Sequence, residues 1–259
     1  MDSAGIDVTL GEVAASLALV AVAAAVSFWR RTGQEEDIGI AVVRSFLQLT
    51  AIGFVIQAIF DEDSLVLVAG LIAVMVVFGA FTARARARKV PGAFWPLLLA
   101  LGVAGVSTLG LIVALGIFEP TPRYLVPVGG MVIGNSMTSA AVALNRLGDE
   151  ITDRAREIEA TLALGATATV AAGPSVRRSL RSGMIALVDS TKTTGLIFFP
   201  GTMVGMLLAG ADPTDAVRLQ LILLWVLLGA VAIAALIATT LAYRNFFTDA
   251  HQLREPPEP

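Results

Sequence analysis

The sequence contains no cysteine, a single histidine (His251) and only two lysines, Lys89 and Lys192. The absence of cysteine excludes disulfides, thiolate metal sites and cysteine nucleophiles. One histidine in a polar tail cannot build a histidine-rich metal cluster. Neither lysine stands in the Gly-x-x-x-x-Gly-Lys-Ser/Thr frame of a P-loop, so the chain carries no ATPase motif. We therefore expect a protein that is not an enzyme and that binds no cofactor itself.

Charged residues are also scarce, making up 15% of the chain, whereas hydrophobic residues make up 56%. A soluble domain of this size carries about 25% charged residues, so the composition predicts a polytopic protein of the lipid bilayer. No basic tract or nucleic-acid motif is present, which argues against a nucleic-acid partner. Seven apolar segments are long enough, or nearly so, to span a membrane as helices. They are residues 10–29, 38–60, 65–81, 94–118, 124–144, 184–208 and 216–242.

Basic residues are distributed unevenly between the two sides of the predicted bundle. If the N-terminus lies outside, 14 of the 18 Lys and Arg fall on the inside, and only Arg123 and Arg218 fall on the outside. Basic residues favour cytoplasmic loops. The sequence therefore predicts an all-α fold of seven transmembrane helices, N-out and C-in, as one membrane domain over residues 1–259.

The sixth apolar segment contains a polar stretch, residues 189–195, which reads Asp-Ser-Thr-Lys-Thr-Thr-Gly. Ionisable groups inside a membrane are costly unless they face protein or water, and by default they mark a functional pathway. The alternative is a purely structural ion pair between Asp189 and Lys192, three residues apart on one helix face. The predicted pathway residues in this stretch are Asp189, Ser190, Lys192 and Thr193.

Other polar groups extend the predicted pathway. Asn135 and Ser136 lie near the middle of the fifth segment, and Arg44 and Gln48 lie one turn apart in the second. Arg44 could either extend to the membrane interface or reach the acidic residue of the sixth segment. Methionines could offer thioether ligands to a metal along this path, although methionine is also a common apolar filler. The methionines in question are Met131, Met137 and Met203.

Glycine and proline mark the fifth and sixth segments. Gly130 and Gly134 form a small-xxx-small pair that permits close helix approach, and Gly201 and Gly205 form a second pair. Pro200, directly before this second pair, is predicted to kink or break the sixth helix just outward of the polar stretch.

One connection, residues 145–183, is much longer than the others and is predicted to lie in the cytoplasm. Residues 149–164 have the pattern of an amphipathic helix, and Gly165 is a natural stop for it. A basic stretch with Arg177 and Arg178 then leads into the sixth segment. A helix lying on anionic headgroups would not need the acidic residues mixed through residues 149–159, so a cytoplasmic protein partner explains this region better.

Three blocks carry a family resemblance: residues 126–147 (VPVGGMVIGNSMTSAAVALNRL), 159–165 (EATLALG) and 188–210 (VDSTKTTGLIFFPGTMVGMLLAG). They resemble the FetB-type membrane subunits of ABC transporters, which include bacterial iron exporters and plant permeases implicated in aluminium tolerance. The resemblance implies a homodimeric permease that exports a metal, with iron as the expected cargo. It also implies a separate ATPase subunit that binds the ATP, and a location in the cytoplasmic membrane of a bacterium or archaeon.

The second block also resembles the EAA-loop of ABC permeases, a short cytoplasmic helix that docks into a cleft of the ATPase. By this resemblance the coupling loop is residues 145–183. Its predicted ATPase-coupling residues are Glu159, Ala160, Gly165, Arg177 and Arg178. The chain departs from the fuller EAA pattern about ten residues after the glycine, where Ser175 follows Pro174 in place of a Leu-Pro pair.

A second function is consistent with the ionisable pair alone. A proton- or ion-coupled secondary carrier could use Asp189 and Lys192 as its relay. That hypothesis leaves the long cytoplasmic connection unexplained.

Overall fold

The computed structural model describes residues 9–254, and the ends of the predicted domain, residues 1–8 and 255–259, lie outside the described residues. The described part is almost entirely helical, and its only β-structure is two isolated bridges. The helices are α1 (Leu10–Arg30), α2 (Glu35–Glu62), α3 (Leu65–Arg86), α4 (Phe94–Ala114), α5 (Pro122–Asp153), α6 (Ala155–Ala163), α7 (Ala168–Thr193), α8 (Gly201–Leu208) and α9 (Pro213–Ala242). A 3₁₀ turn, Tyr243–Phe246, follows α9. The prediction of an all-α fold is confirmed.

Six of these helices are long and apolar enough to cross a membrane, namely α1, α2, α3, α4, α5 and α9. They correspond to the first five predicted segments and the seventh. Several helices are longer than the apolar segments that predicted them. Helical hydrogen bonds join backbone groups, so a helix can continue through polar residues beyond an apolar segment. The clearest case is α5, whose last turns replace the beginning of the predicted amphipathic helix.

The sixth predicted segment, residues 184–208, is not one helix. Its first part belongs to α7, which ends at Thr193, and its last part is α8. Between them the chain turns: Gly195 adopts a φ of 89°, and its N–H donates to the carbonyl of Phe198 at 2.9 Å. Pro200 cannot donate a backbone hydrogen bond, so it does not continue α7; it is the N-cap residue before α8, which begins at Gly201. The predicted break therefore exists but begins at Thr194, and residues 9–254 contain six continuous candidate spans rather than the predicted seven.

Helix α7 differs in character from the six apolar helices. It has 26 residues and is therefore about 39 Å long. It joins the predicted basic stretch and the polar stretch in one uninterrupted rod, which explains why its composition is too polar for a simple membrane span. Pro174 is the seventh residue of α7, beyond the first turn, so its missing N–H leaves the carbonyl of Val170 without its usual helical donor.

Helix α5 is the central element of the bundle. It packs against α3, α4, α7 and α9, while α3 contacts α4, α4 contacts α9, and α9 contacts α7. The main core contains fully buried Leu97, Leu101, Leu144 and Leu147 together with many alanines. This core continues beyond the ends of the apolar segments to Ile158 of α6. We call the end of the bundle formed by the last turns of α5, by α6 and by the start of α7 the α6 end.

The α1–α2 hairpin is attached to the bundle at one place. Ile59, near the end of α2, packs with Val68 of α3 and Val126 of α5. At the other end of α2 the hairpin is closed by hydrogen bonds from Ser27, whose hydroxyl lies 2.6 Å from that of Thr32. The α2 surface between these points is mostly exposed apolar side chains. Such a surface suits contact with lipid or with a second protein chain.

Candidate functional site

Residues 189–193 of the polar stretch form the C-terminal end of α7. Asp189 and Lys192 form an ion pair there, with 3.0 Å between the carboxylate Oδ1 and the ammonium Nζ. The side chains are 59% and 68% exposed, respectively. The predicted pair is therefore present, and it lies on a face of α7 that one copy of the chain leaves largely open.

The threonine hydroxyls around this pair are bonded to the backbone of α7 itself. Thr191, Thr193 and Thr194 each donate through Oγ1 to a carbonyl one turn earlier, at 2.7, 3.1 and 2.8 Å. Such bonds satisfy a hydroxyl in an apolar environment without a second residue. Of the polar stretch, the side chains of Asp189 and Lys192 are thus the ones that project into open space.

A polar groove of about 210 Å³ lies between α5 and α7, and Val231 of α9 also borders it. Its polar lining consists only of amide and hydroxyl groups, from Asn135, Thr138, Ser139, Ser182 and Ser190. The structure therefore brings the predicted residues Asn135 and Ser190 together. Ser136 is fully buried, and its hydroxyl has no hydrogen-bond partner within residues 9–254. It faces the packed core rather than the groove.

Contacts between the antiparallel helices α5 and α7 fix the depth of the ion pair. Ser139 Oγ donates to the carbonyl of Gly183 at 2.8 Å, so these two residues lie at the same level. Asp189 is six residues further along α7 and hence level with about residue 133 of α5. That position is roughly 16 Å along α5 from Pro122. Because a hydrocarbon core is about 30 Å thick, the pair lies near the middle of the bundle's apolar zone.

Arg44 and Gln48 line neither the polar groove nor the surroundings of the ion pair. They share an exposed face of α2 with Ile40 and Leu47. Ile59 of α2 contacts Val126 of α5, so the two residues lie at the same depth in the bundle. Arg44 is about 22 Å from Ile59 along α2, in the direction of the α6 end. This places Arg44 roughly 12 Å nearer the α6 end than Asp189. Arg44 forms no ion pair within the described chain, and of its two predicted positions the geometry favours the one near the interface.

The three methionines do not form one cluster. Met131 packs against the core group around Val132, and its sulfur lies 4.0 Å from Thr202 Oγ1 at the start of α8. Met137 instead packs against the main core, and its Cβ lies near Gly79 of α3. Met203 is half-buried on α8. Within residues 9–254 no group of three His, Asp or Glu side chains could hold a metal ion.

The α6 end is held together by ion pairs that the sequence alone did not reveal. Glu150 is only 4% exposed, and its carboxylate accepts hydrogen bonds from Arg146 and, at 3.2 Å, from Arg178. This triad ties α5 to α7. Lys89, in the α3–α4 connection, binds Asp149 at 2.6 Å, and this contact raises the pKa of the lysine. Arg178, predicted to contact an ATPase, therefore has an internal partner, whereas Arg177 is exposed on the open face of α7.

Helix α6 contacts α7 and the main core through specific side chains. Arg154 donates through Nε to Glu157 at 2.8 Å, and this hydrogen bond lowers the pKa of the glutamate. The same guanidinium lies 3.5 Å from the hydroxyl of Ser175 on α7. Ile158 is buried against the main core at 2% exposure. A displacement of α6 would therefore be transmitted directly to α7.

The outer surface of α6 carries the remaining predicted coupling residues. Glu159 and Ala160 are exposed, and Gly165 ends the helix with a φ of 87°, as its position predicted. The N–H groups of Gly165 and Ala166 bond back to Leu162 and Thr161, the two hydrogen bonds of a Schellman motif. This turn leaves the Leu164 side chain 90% exposed at the tip of the bundle.

Three residues important to this geometry were not identified from the sequence: Glu150, Leu164 and Gly183. A buried carboxylate has no sequence signature beyond the arginine four residues before it. Leu164 lies opposite the apolar face formed by Ile158 and Leu162, and an exposed leucine at a helix end has no sequence signature of function. Gly183 is an isolated glycine between the loop and the polar stretch, and no local pattern marks it as a helix contact. A Cβ at this position would lie 2.8 Å from that of Ala143 and 2.9 Å from a backbone carbonyl.

Comparisons with known proteins identify relatives over nearly the whole chain. A family model described as "Uncharacterised protein family (UPF0014)" matches residues 10–247. The "UPF0014 membrane protein STAR2" of Oryza sativa subsp. japonica is 40% identical over 242 residues, which cover 93% of this chain and 85% of the relative. "Protein ALUMINUM SENSITIVE 3" of Arabidopsis thaliana is 38% identical over 93% of this chain and 88% of the relative. "Probable iron export permease protein FetB" of Escherichia coli (strain K12) is 34% identical over 251 residues, 95% of each chain. No solved structure matches the chain.

Proposed function

We propose, from the premise that this chain belongs to the UPF0014 family of membrane proteins, that it is the permease subunit of an ABC transporter. The proposed cargo is a metal, with iron first, because one relative is named a probable iron export permease. The proposed direction is export. The observation that carries the proposal is the short helix α6. Its outer face is exposed at the end of the bundle, and its inner face is bonded to α7, the helix that holds the ion pair.

The proposed motor is a separate ATPase subunit. Helix α6 presents Glu159, Ala160 and Leu164 to the surroundings, and Ile158 and Arg154 connect it inward to α7. A surface helix with an outward binding face and an inward mechanical link suits the transmission of movement from a bound ATPase. ATP would be bound by the partner, and this chain would act as a transport subunit without catalysis of its own.

The proposed pathway runs along α5 and α7 and requires a second copy of the chain. One copy leaves the charges of Asp189 and Lys192 open near the middle of the apolar zone, where exposure to lipid is unfavourable by several kcal/mol per charge. A homodimer in which the open faces of two α7 helices meet would shield these groups. The amide and hydroxyl groove beside α5 would then border the same path.

In the proposed orientation the α6 end faces the cytoplasm of a bacterial or archaeal cell, and the N-terminus lies outside. The exposed arginines of the α7 face, Arg177 and Arg181, then meet the cytoplasmic surface, in agreement with the preference of basic residues for that side. Helix α8 and the turn before it complete the seventh crossing together with α7, as a broken helix. Broken helices in membranes occur where they line a cavity.

Copurification tests the proposal directly. A tagged chain extracted from its native membrane is expected to retain an ATPase subunit, and the reconstituted complex is expected to hydrolyse ATP faster when the metal is present. Glu159→Lys is expected to release the ATPase while leaving the membrane bundle folded. The absence of any ATPase partner, together with transport that continues without ATP, would overturn the proposal.

A second candidate, an ion-coupled carrier, is favoured by the open Asp189–Lys192 pair. Under that mechanism transport in vesicles stops when an uncoupler collapses the ion gradient and continues when ATP is depleted. The ABC mechanism predicts the reverse pattern. The two outcomes therefore separate the candidates in one experiment.

A further inference from the structure

The chain ends, within the described residues, in a folded hook. We define the C-terminal hook as residues 247–254, which follow the 3₁₀ turn after α9. The N–H of Thr248 donates to the carbonyl of Gln252 at 2.9 Å, and the N–H of Arg254 donates to that of Phe246 at 2.8 Å. Phe247 and Leu253 form a β-bridge between the two arms. These bonds give the hook a fixed backbone.

The hook and the 3₁₀ turn before it are anchored to the α6 end. Phe246 and Phe247 are buried in the main core, and Leu253 packs against it. The Tyr243 hydroxyl lies 2.9 Å from that of Thr169 at the start of α7, and Asn245 Nδ2 donates to the carbonyl of Pro91 at 2.8 Å. The position of the hook is therefore set by three different parts of the bundle.

A groove of about 500 Å³ separates the hook from α6. One wall is formed by Glu159, Leu162 and Ala166, and the facing wall by Ala250, His251 and Gln252. The groove is thus partly apolar and partly polar, which is the composition of a protein-binding surface rather than of a packed core. Its α6 wall includes the residue that the proposed function assigns to ATPase coupling.

The charge of the groove indicates the chemistry of its occupant. Glu159 is exposed and in no ion pair within residues 9–254, whereas the neighbouring acids Glu150 and Glu157 are each paired with arginine. Leu164, next to the lining residue Gly165, has 90% of its surface exposed. An unpaired carboxylate beside exposed apolar side chains fits a segment that carries a cation next to an apolar group.

We propose that the C-terminal hook forms the second wall of the ATPase-docking groove, so that α6 does not bind the ATPase alone. The inserted segment of the ATPase presents a lysine or arginine to Glu159 and an apolar side chain between Leu162 and Ala250. This inference rests on the proposed function, because it assumes an ATPase partner. It adds a site contributed by a part of the chain more than 80 residues away from α6.

Two neighbouring hook residues provide a matched test. Ala250 lines the groove, whereas Asp249 is also an exposed turn residue but does not line it. Ala250→Trp fills the groove and is expected to weaken binding of the purified ATPase subunit to the full-length permease in nanodiscs at least tenfold. Asp249→Trp and Ala250→Ser are expected to change the Kd less than twofold. Equal Kd values for Ala250→Trp and Asp249→Trp would overturn the role of the hook.

Further measurements separate the possible failures. Thermal unfolding of each variant shows whether the bundle is intact, and an Ala250→Trp variant that binds normally with an unchanged Tm refutes the inference. Glu159→Gln is expected to weaken binding and to reduce its dependence on salt, since one ion pair is lost. An unchanged salt dependence would refute the proposed cation. If the unmodified permease binds no ATPase, the proposed function fails, and this result differs from a failure of the hook alone.

Discussion

Gly183 is a residue at which the two helices of the proposed pathway approach each other closely. Its Cα faces Ala143, and its carbonyl accepts the hydrogen bond of the Ser139 hydroxyl. A side chain here would have to displace both the methyl group of Ala143 and the backbone of α5. The glycine therefore determines the distance between α5 and α7.

Substitution of Gly183 is expected to destabilise the bundle more as the new side chain becomes larger. Gly183→Ala should lower the free energy of unfolding by about 1–3 kcal/mol through overpacking, and Gly183→Val by more. Gly134→Ala is the matched control, because a Cβ there meets nothing within 4 Å. Thermal unfolding in detergent measures both. A Gly183→Ala protein as stable as the Gly134→Ala protein would contradict the close contact.

Lys192 allows the functional and structural interpretations of the ion pair to be separated. Lys192→Met is expected to reduce transport to background while the protein still assembles with its partner. The double variant Asp189→Asn/Lys192→Met removes both charges, so it would restore a bundle that needed only charge balance. We expect the double variant to remain inactive in a vesicle transport assay. Recovery of transport would show that the pair is structural.

At the scale of elements, α6 has two faces with different tasks. Ile158 attaches the helix to the core, and Leu164 is exposed at its tip. Ile158→Ala leaves a cavity and is expected to loosen α6 by about 2–5 kcal/mol, seen as faster hydrogen exchange over residues 155–163. Leu164→Ala should leave exchange unchanged and instead weaken ATPase binding. The reverse pattern would contradict the assignment of the two faces.

The elements also show what can be predicted from sequence and why. The six apolar helices were predictable because a membrane span needs about 20 apolar residues, a property of composition alone. The stop at Gly165 was predictable because a left-handed residue ends a helix locally. The break in the sixth segment was predicted at Pro200 but begins at Thr194. Hydropathy does not register the turn at Gly195, so the proline was the only local signal of a break.

Long-range geometry accounts for most of the remaining differences in the site. The distance of Arg44 from the ion pair depends on where Ile59 packs, and no local pattern encodes that contact. Ser136 and Asn135 are adjacent in sequence, so their opposite environments follow from the rotation of α5 in the bundle. The glycine pairs illustrate the same limit: Gly134, Gly201 and Gly205 face open space in one copy, while the close contact occurs at Gly183.

At the scale of the whole molecule, the absence of cysteine offers a direct test of the proposed homodimer. Ile185 is 48% exposed on the open face of α7, and Val106 is 75% exposed on α4. Ile185→Cys is expected to form a covalent dimer on mild oxidation, because a disulfide requires Cα atoms within about 7 Å. Val106→Cys should stay monomeric under the same conditions. Failure to crosslink at Ile185 and at the neighbouring positions Met184 and Val188 would contradict an α7–α7 interface.

The close contact at Gly183 has a mechanical consequence when combined with the unbroken length of α7. Ser175, where α6 is attached, lies about 12 Å before this contact, and Asp189 lies about 9 Å beyond it. If the ion pair between Glu150 and Arg178 opens, α7 can tilt about the contact at Gly183, and its two ends then move in opposite directions. A displacement of about 2 Å on the α6 side would then move the charged end the opposite way by roughly 1.5 Å. Narrowing at one end of the path and widening at the other would then be a single motion.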